Sequence, residues 1–306
     1  MARRKITWAF SWLALKDERP NYIEIKKQII TYHKELGDEI TFLPSGYFAN
    51  MYNTREQINN DLHDGIQMVS NMVGGGYRPK AIIAGFLSAE NQRYLAEEEG
   101  IHVCQGTIWS QYSVDNGDGE GSISYPYYPS KEHYCKPAQS PEDQIDCVNL
   151  DGWTVDFLNA RYDGGVTIDG EFCGSRQGVG PIETLLRLGH DRGLKEMLWT
   201  TATHFDKGYE LNGFAWVCST WELCLVEGRK IYGYQGRNGQ LGLEQWLKEI
   251  RSRWPNSQMI THGEFGMLWR EHFSSNEQLD YRFIQRGSGI CGSQEDTEIK
   301  WFMNKG

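Results

Sequence analysis

Apolar positions in the first 150 residues alternate between two spacings. Ile6-Thr-Trp-Ala-Phe-Ser-Trp is a run of strand length, whereas Tyr22, Ile25, Ile29, Ile30, Tyr32 and Leu36 recur at helical spacing after Pro20 and stop at Gly37. Ile40-Thr-Phe-Leu is a second short strand, closed by Pro44 and Gly46. Thr54-x-x-Gln57 opens a helix carrying Ile58, Leu62, Ile66, Met68, Val69 and Met72, which Gly74, Gly75 and Gly76 end. A third strand from Lys80 to Phe86, a helix capped by Ser88 and a fourth strand from Ile101 to Cys104 continue the alternation.

Residues 105–144 break the rhythm as a long, turn-rich loop, which at this length favours a functional role. Ile145 to Leu150 is a fifth strand. Pro181 starts a helix with Ile182, Leu185, Leu186 and Leu188 that ends near Gly189. Glu196 to Thr203 is expected to be a sixth strand delivering His204-Phe-Asp206, and Phe214 to Leu225 fits a strand or a buried helix. Leu243 to Trp254 is an amphipathic helix stopped by Pro255. Gln258 to Thr261 is expected to be the last barrel strand, delivering His262-Gly-Glu264, and the chain from Tyr281 onward is strand-like.

Repeated strand and helix predict an α/β fold with a parallel sheet and right-handed crossovers, closed as a barrel or doubly wound. No Gly-x-Gly-x-x-Gly follows the first strand and no phosphate-binding Gly-x-x-x-x-Gly-Lys-Ser/Thr occurs, which disfavours the nucleotide folds. The expected organisation is one (β/α) barrel domain over residues 1–280 and a strand-like segment over 281–306.

A net charge of −10 and a pI near 5.4 argue against nucleic acid, whose phosphates need clustered Lys and Arg. Aromatic residues make up 13% of the chain, with 11 Trp, more than a core of this size needs when Leu, Ile and Val can fill it. A carbohydrate-binding cleft accounts for the surplus, because flat rings with a polar edge suit sugars. Seven cysteines without Cys-x-x-Cys read as structural thiols. The N-terminus imitates a leader but lacks a small-residue cleavage site, and no apolar run has membrane-spanning length. A soluble chain is expected, cytoplasmic by sequence alone, with the periplasm the alternative for a glycan-degrading enzyme; oligomeric state is not readable.

In a barrel, residues at the C-terminal ends of strands share one mouth. Glycosidic cleavage uses two carboxyl groups, roughly 5–5.5 Å apart for retention or 6.5–9.5 Å for inversion. Asp151 and Glu264 are the expected pair, with Asp206 and Glu222 as substitutes, since each lies in or after a strand candidate beside an aromatic residue or a histidine. Desolvation by Trp153 would raise Asp151 toward a usable acid, and His262 would shift Glu264 the other way. Trp109, Tyr112, Asp115, Tyr127 and Tyr128 from the loop, with Trp153, His204 and His262, are the expected sugar contacts. Asp115-Asn-Gly-Asp-Gly-Glu lacks the spacing of a calcium loop. His204-x-Asp206 and His262-x-Glu264, if extended, could converge on a divalent metal, but no His-x-x-x-His supports one, and no cofactor is predicted.

The strings Lys80-Ala-Ile-Ile-Ala-Gly-Phe-Leu-Ser-Ala-Glu-Asn, Ile101-His-Val-Cys-Gln-Gly-Thr-Ile-Trp-Ser and Cys147-Val-Asn-Leu-Asp-Gly-Trp-Thr-Val-Asp-Phe resemble the DUF3863 family of gut Bacteroidetes. Gly178-Val-Gly-Pro-Ile-Glu and His204-Phe-Asp-Lys-Gly extend the resemblance over nearly the whole chain. It implies a distorted glycoside hydrolase/deacetylase-like barrel of about seven strands, a carbohydrate substrate and a small β domain after the barrel, but no established activity. The deacetylases of that superfamily carry a paired Asp-Asp on the first strand, and here that strand ends Ala9-Phe-Ser-Trp. A carboxylate-based glycoside hydrolase is therefore the expected function. The alternatives are a catalytically silent sugar-binding domain and an atypical metal-dependent deacetylase.

Overall fold

The computed structural model describes residues 4–45, 53–83, 87–107, 125–151, 184–185, 188–221, 237–290 and 298–303. They divide between two compact units. The first comprises Met1–Asp151 and Gln258–Gln278, and the second comprises Gly152–Ser257 and Leu279–Lys305.

The first unit follows the predicted alternation. Strand β1 (Thr7–Phe10) leads through a one-turn helix α1 (Trp12–Lys16) to α2 (Pro20–Leu36), β2 (Glu39–Phe42), α3 (Arg55–Val73), β3 (Ile82–Ile83), α4 (Ala89–Glu97), β4 (Val103–Thr107) and β5 (Val148–Asp151). All of these strands pair in parallel, as β1-β2 and as β3-β4-β5. Between β2 and β3 side chains stand in for a ladder: Thr41 donates its hydroxyl to the Ala81 carbonyl at 2.6 Å, and Glu39 accepts from the Lys80 and Ala81 amides at 3.1 and 3.0 Å.

Caps end the helices where the sequence says they should. Pro20 stands first in α2 and Gly37, at φ 82°, closes it; Thr54 accepts from the Gln57 amide at the start of α3; Ser88 and Asn91 form a reciprocal capping box on α4. Gln57 turns its side chain forward to Asp61 at 3.0 Å rather than back to Thr54. One core joins Ile40, Phe42, Ile82 and Cys104 of the strands to Ile58, Leu62, Ile66 and Val69 of α3 and to Leu95 of α4.

Gly65 lets α3 come down onto the ring of Phe42. A Cβ at position 65 would sit far inside the contact distance of Phe42 Cε2 and Cζ, both buried. Gly65→Ala should therefore destabilise the first unit by about 1–3 kcal/mol through overpacking, although alanine is the better helix former by about 1 kcal/mol. A thermal melt checks this, and a raised melting temperature would count against it.

Residues 125–151 extend the sheet beyond β5. Tyr127 exchanges backbone hydrogen bonds with Asn149, and bridges at Pro129 with Pro137 and at Ser130 with Gln144 fold the segment on itself. Helix α7 (His262–His272), returned from late in the chain, passes under the start of the strands. Gly263 meets Glu39 at the first residue of β2, Gly266 faces Val103 at the first of β4, and Arg270 bonds Asp146 just before β5 at 2.6 Å. A Cβ on Gly266 would stand 2.5 Å from both Val103 methyls, so only glycine permits this approach.

In the second unit α5 (His190–Asn212) packs on α6 (Arg237–Arg253) through Leu185, Met197, Leu198, Trp246, Leu243, Leu247 and Ile250. A hairpin of β6 (Tyr281–Arg286) and β7 (Glu298–Met303), the strand-like segment expected from Tyr281, lies against α5, with Gln285 donating to Thr200 at 3.3 Å.

Two expected strands are corrected. Glu196–Thr203 belongs to α5, because Met197, Thr201, His204 and Gly208 bury one helical face that outweighs the β preference of its threonines. Gln258–Thr261 forms no strand; only Met259 accepts from the Lys5 amide at 3.1 Å, and Thr261 already caps α7. Residues 214–221 are irregular apart from one bridge residue, Ser219. The fold is mixed α/β, and among the described residues no sheet closes into a seven-stranded barrel.

Candidate functional site

The C-terminal ends of the parallel strands form one edge of the first unit, and buried polar groups gather there. β5 ends at Asp151, which pairs in register with Thr107 at the end of β4, across a shift after Gln105. Gln105, on β4, is buried. Just past β2, Ser45 takes φ 55°, the only positive φ outside glycine among the described residues. Its hydroxyl donates to Asp61 of α3, a nearly buried carboxylate that also holds Gln57. A left-handed serine is strained, and strain of this kind gathers at functional positions.

The N-termini of α3 and α4 also face this edge, since each helix follows the C-terminal end of a strand. Asn91 donates to the Arg55 carbonyl at 2.9 Å and to Asn59 at 2.7 Å, tying the two helix starts together. Exposed Arg55 and Glu90 pair above them at 3.4 Å. Helix starts carry partial positive charge and suit ligands rich in acceptor oxygens.

Glu264 lies at the other end of the strands. It is the third residue of α7, in a capping box with Thr261: its amide donates to the Thr261 hydroxyl at 3.1 Å, and its carboxylate accepts the Thr261 amide and pairs with Lys5, ahead of β1. Asp151 and Glu264 are thus not brought together. Thr261-x-x-Glu264 is itself the capping-box signature, the signal that announces a helix start rather than a strand end. His262 opens the same helix, its amide held by the Thr7 hydroxyl at 2.9 Å, and burial lowers its pKa to about 4.

The expected extended pairing of His204 with Asp206 is likewise corrected, since both are on α5, where two residues are about 200° apart. His204 is buried against Phe283, ring centroids 5.5 Å apart, and burial holds its pKa near 3 although a hydrogen bond to Gln285 favours the protonated ring. Asp206 is exposed and accepts from the Trp254 indole at 3.1 Å.

Tyr127 and Tyr128 are pillars of the fold rather than sugar platforms. Tyr127 donates to the Tyr134 carbonyl at 2.7 Å and accepts from Asn149 at 2.8 Å, while Tyr128 donates to the Phe273 carbonyl at 2.9 Å and packs on Trp269. Both rings are buried, because consecutive residues on an extended segment face opposite sides and both sides here are covered. Trp109, Tyr112, Asp115, Trp153 and Glu222 lie outside the described residues, as does the side chain of Asp151. Among the described residues no three His, Cys, Asp or Glu side chains gather as metal ligands, and no helix is long and apolar enough to cross a membrane. Cys104, Cys147 and Cys218 are buried and Cys135 is half-buried.

The family model of DUF3863, a domain of unknown function with a solved structure, matches residues 2–303. The chain belongs to this family. A crystal structure of a candidate glycoside hydrolase/deacetylase from Parabacteroides distasonis is similar at 50% identity and a TM-score of 0.86, over 99% of this chain and 68% of that one. GH57-type branching enzymes from Thermococcus kodakaraensis and Pyrococcus horikoshii align at TM-scores of 0.41 and 0.45 and identities of 10% and 12%. Those alignments cover 76% and 86% of this chain and 48% and 60% of theirs, and are too distant to bear on function. Comparison with curated proteins finds no match.

Proposed function

We propose that this DUF3863 member is a carbohydrate-active hydrolase working at the C-terminal edge of β1 to β5, with Asp151 as one of its carboxylates. The observation that carries the reading is the position of Asp151 as the last residue of a parallel strand, on the edge where Ser45, Asp61 and Gln105 supply further polar groups. Loops beyond the C-terminal ends of parallel strands are where α/β folds hold their ligands. The kinship with the Parabacteroides protein supports sugar chemistry and keeps glycan deacetylation as the second reading. Glu264, committed to Lys5 and Thr261, is left out of the reaction.

Incubating the full chain with a panel of neutral and N-acetylated oligosaccharides, followed by mass spectrometry, separates the readings. Shortened chains mean glycosidase action, and intact chains with released acetate mean deacetylation. Asp151→Asn should lower either turnover at least ~100-fold, the scale of a lost acid–base group, with an unchanged melting temperature. Parental turnover in Asp151→Asn would remove it from the site. No product of either kind would remove the enzymatic reading.

A further inference from the structure

The second unit presents an aromatic and acidic strip on the exposed face of α5. Trp199 and Asp206 are seven residues apart and share one helical face, about 10 Å apart along the axis. Trp199 is 41% exposed, yet its ring is not free to turn, because its indole N–H donates to the Arg286 carbonyl at 2.8 Å. The indole is thus pinned at its polar edge, with ring surface open to solvent.

Asp206 is fixed in a related way. Its Oδ1 accepts the Trp254 indole at 3.1 Å and Trp254 packs on Phe205, ring centroids 4.9 Å apart, while among the described residues no donor meets Oδ2. An oriented carboxylate with a spare oxygen is an acceptor for neighbouring hydroxyl groups. The Arg286–Glu298 ion pair, at 2.8 Å and open to solvent, adds donors and acceptors at the Trp199 end.

We infer that Trp199, Asp206 and Trp254, all in the second unit, form a surface binding site for a neutral glycan chain. Trp199 stacks on the apolar face of one sugar ring, Asp206 accepts hydroxyls of the next along the helix, and Trp254 orients Asp206. The occupant is an extended neutral polysaccharide rather than an acidic one, since the chain carries −10 and the strip itself presents a carboxylate.

Affinity electrophoresis of the full chain in gels containing amylopectin, xylan, galactomannan or mixed-linkage β-glucan tests the site. At least one polymer should retard the protein. Trp199→Ala and Asp206→Ala should each weaken that retardation about tenfold at an unchanged melting temperature, and Trp199→Phe, which keeps a flat ring, should retain part of it. Asp151→Asn should bind as the parent does, so failure here and failure of the proposed reaction are told apart. The inference is overturned by the absence of retardation in all four polymers, by retardation indifferent to Trp199→Ala and Asp206→Ala, or by a dimer in sedimentation that Trp199→Ala dissociates.

Discussion

Glu39→Ala should cost the first unit about 4 kcal/mol, close to a thousandfold in its folding equilibrium. The 6% exposed Glu39 carboxylate gathers four donors from three parts of the chain: the Thr7 hydroxyl at 3.2 Å, the Lys80 and Ala81 amides at 3.1 and 3.0 Å, and the Gly263 amide at 2.9 Å. Alanine would strand the three amides in a space closed to water, each at about 1–3 kcal/mol. Burial pushes the Glu39 pKa up and the donors pull it back down, leaving it above the usual carboxylate value. Glu39→Gln, with one oxygen in place of two, should fall between parent and alanine. Urea unfolding followed by circular dichroism reads the order, and a parental midpoint in Glu39→Ala would refute the staple.

Acidification should weaken the second unit by about 3 kcal/mol between pH 6.5 and pH 4, through His204. Its folded pKa is near 3 because burial excludes the charged ring, whereas the unfolded residue titrates near 6.5. The folded value is the lower one, so the contribution is complete above pH 6.5. As pH falls the unfolded chain takes up the proton first, and the loss levels off near pH 3. In the first unit His262 acts with the same sign and levels off near pH 4. Urea midpoints across this range should fall for the parent and fall less for His204→Gln. Identical slopes would show that His204 is not the group responsible.

Local chemistry made the first half of the chain readable. Gly37, Thr54, Gly74 and Ser88 each punctuate a helix through their own backbone or side chain, and the strands between them are short apolar runs. Glu196–Thr203 was misjudged because three threonines and a tryptophan raise β preference within a window too short to show the period. Extended to Gly208, the buried positions fall at helical intervals, and the glycines that bound the helix, Gly189 and Gly213, were visible at its ends. Tyr127 and Tyr128 show a different limit. Their hydroxyls answer the carbonyls of Tyr134 and Phe273, and nothing in the sequence reveals that residue 128 will meet residue 273. Asp151 was legible as a strand end, while Asp61 was hidden inside an amphipathic helix and depends on the turn at Ser45.

The passage of α7 beneath the strands also constrains how the molecule is made. The five parallel strands leave the ribosome by residue 151, but Gly263, which completes the shell of Glu39, follows more than a hundred residues later. At ordinary rates of synthesis that interval is on the order of ten seconds. Until Gly263 arrives the nascent sheet lacks one donor to the Glu39 carboxylate and leaves open the groove at Val103 that Gly266 will fill. The glycines of α7 thus act as a late latch, and a chain released before they emerge would carry an unfinished underside open to chaperones and proteases.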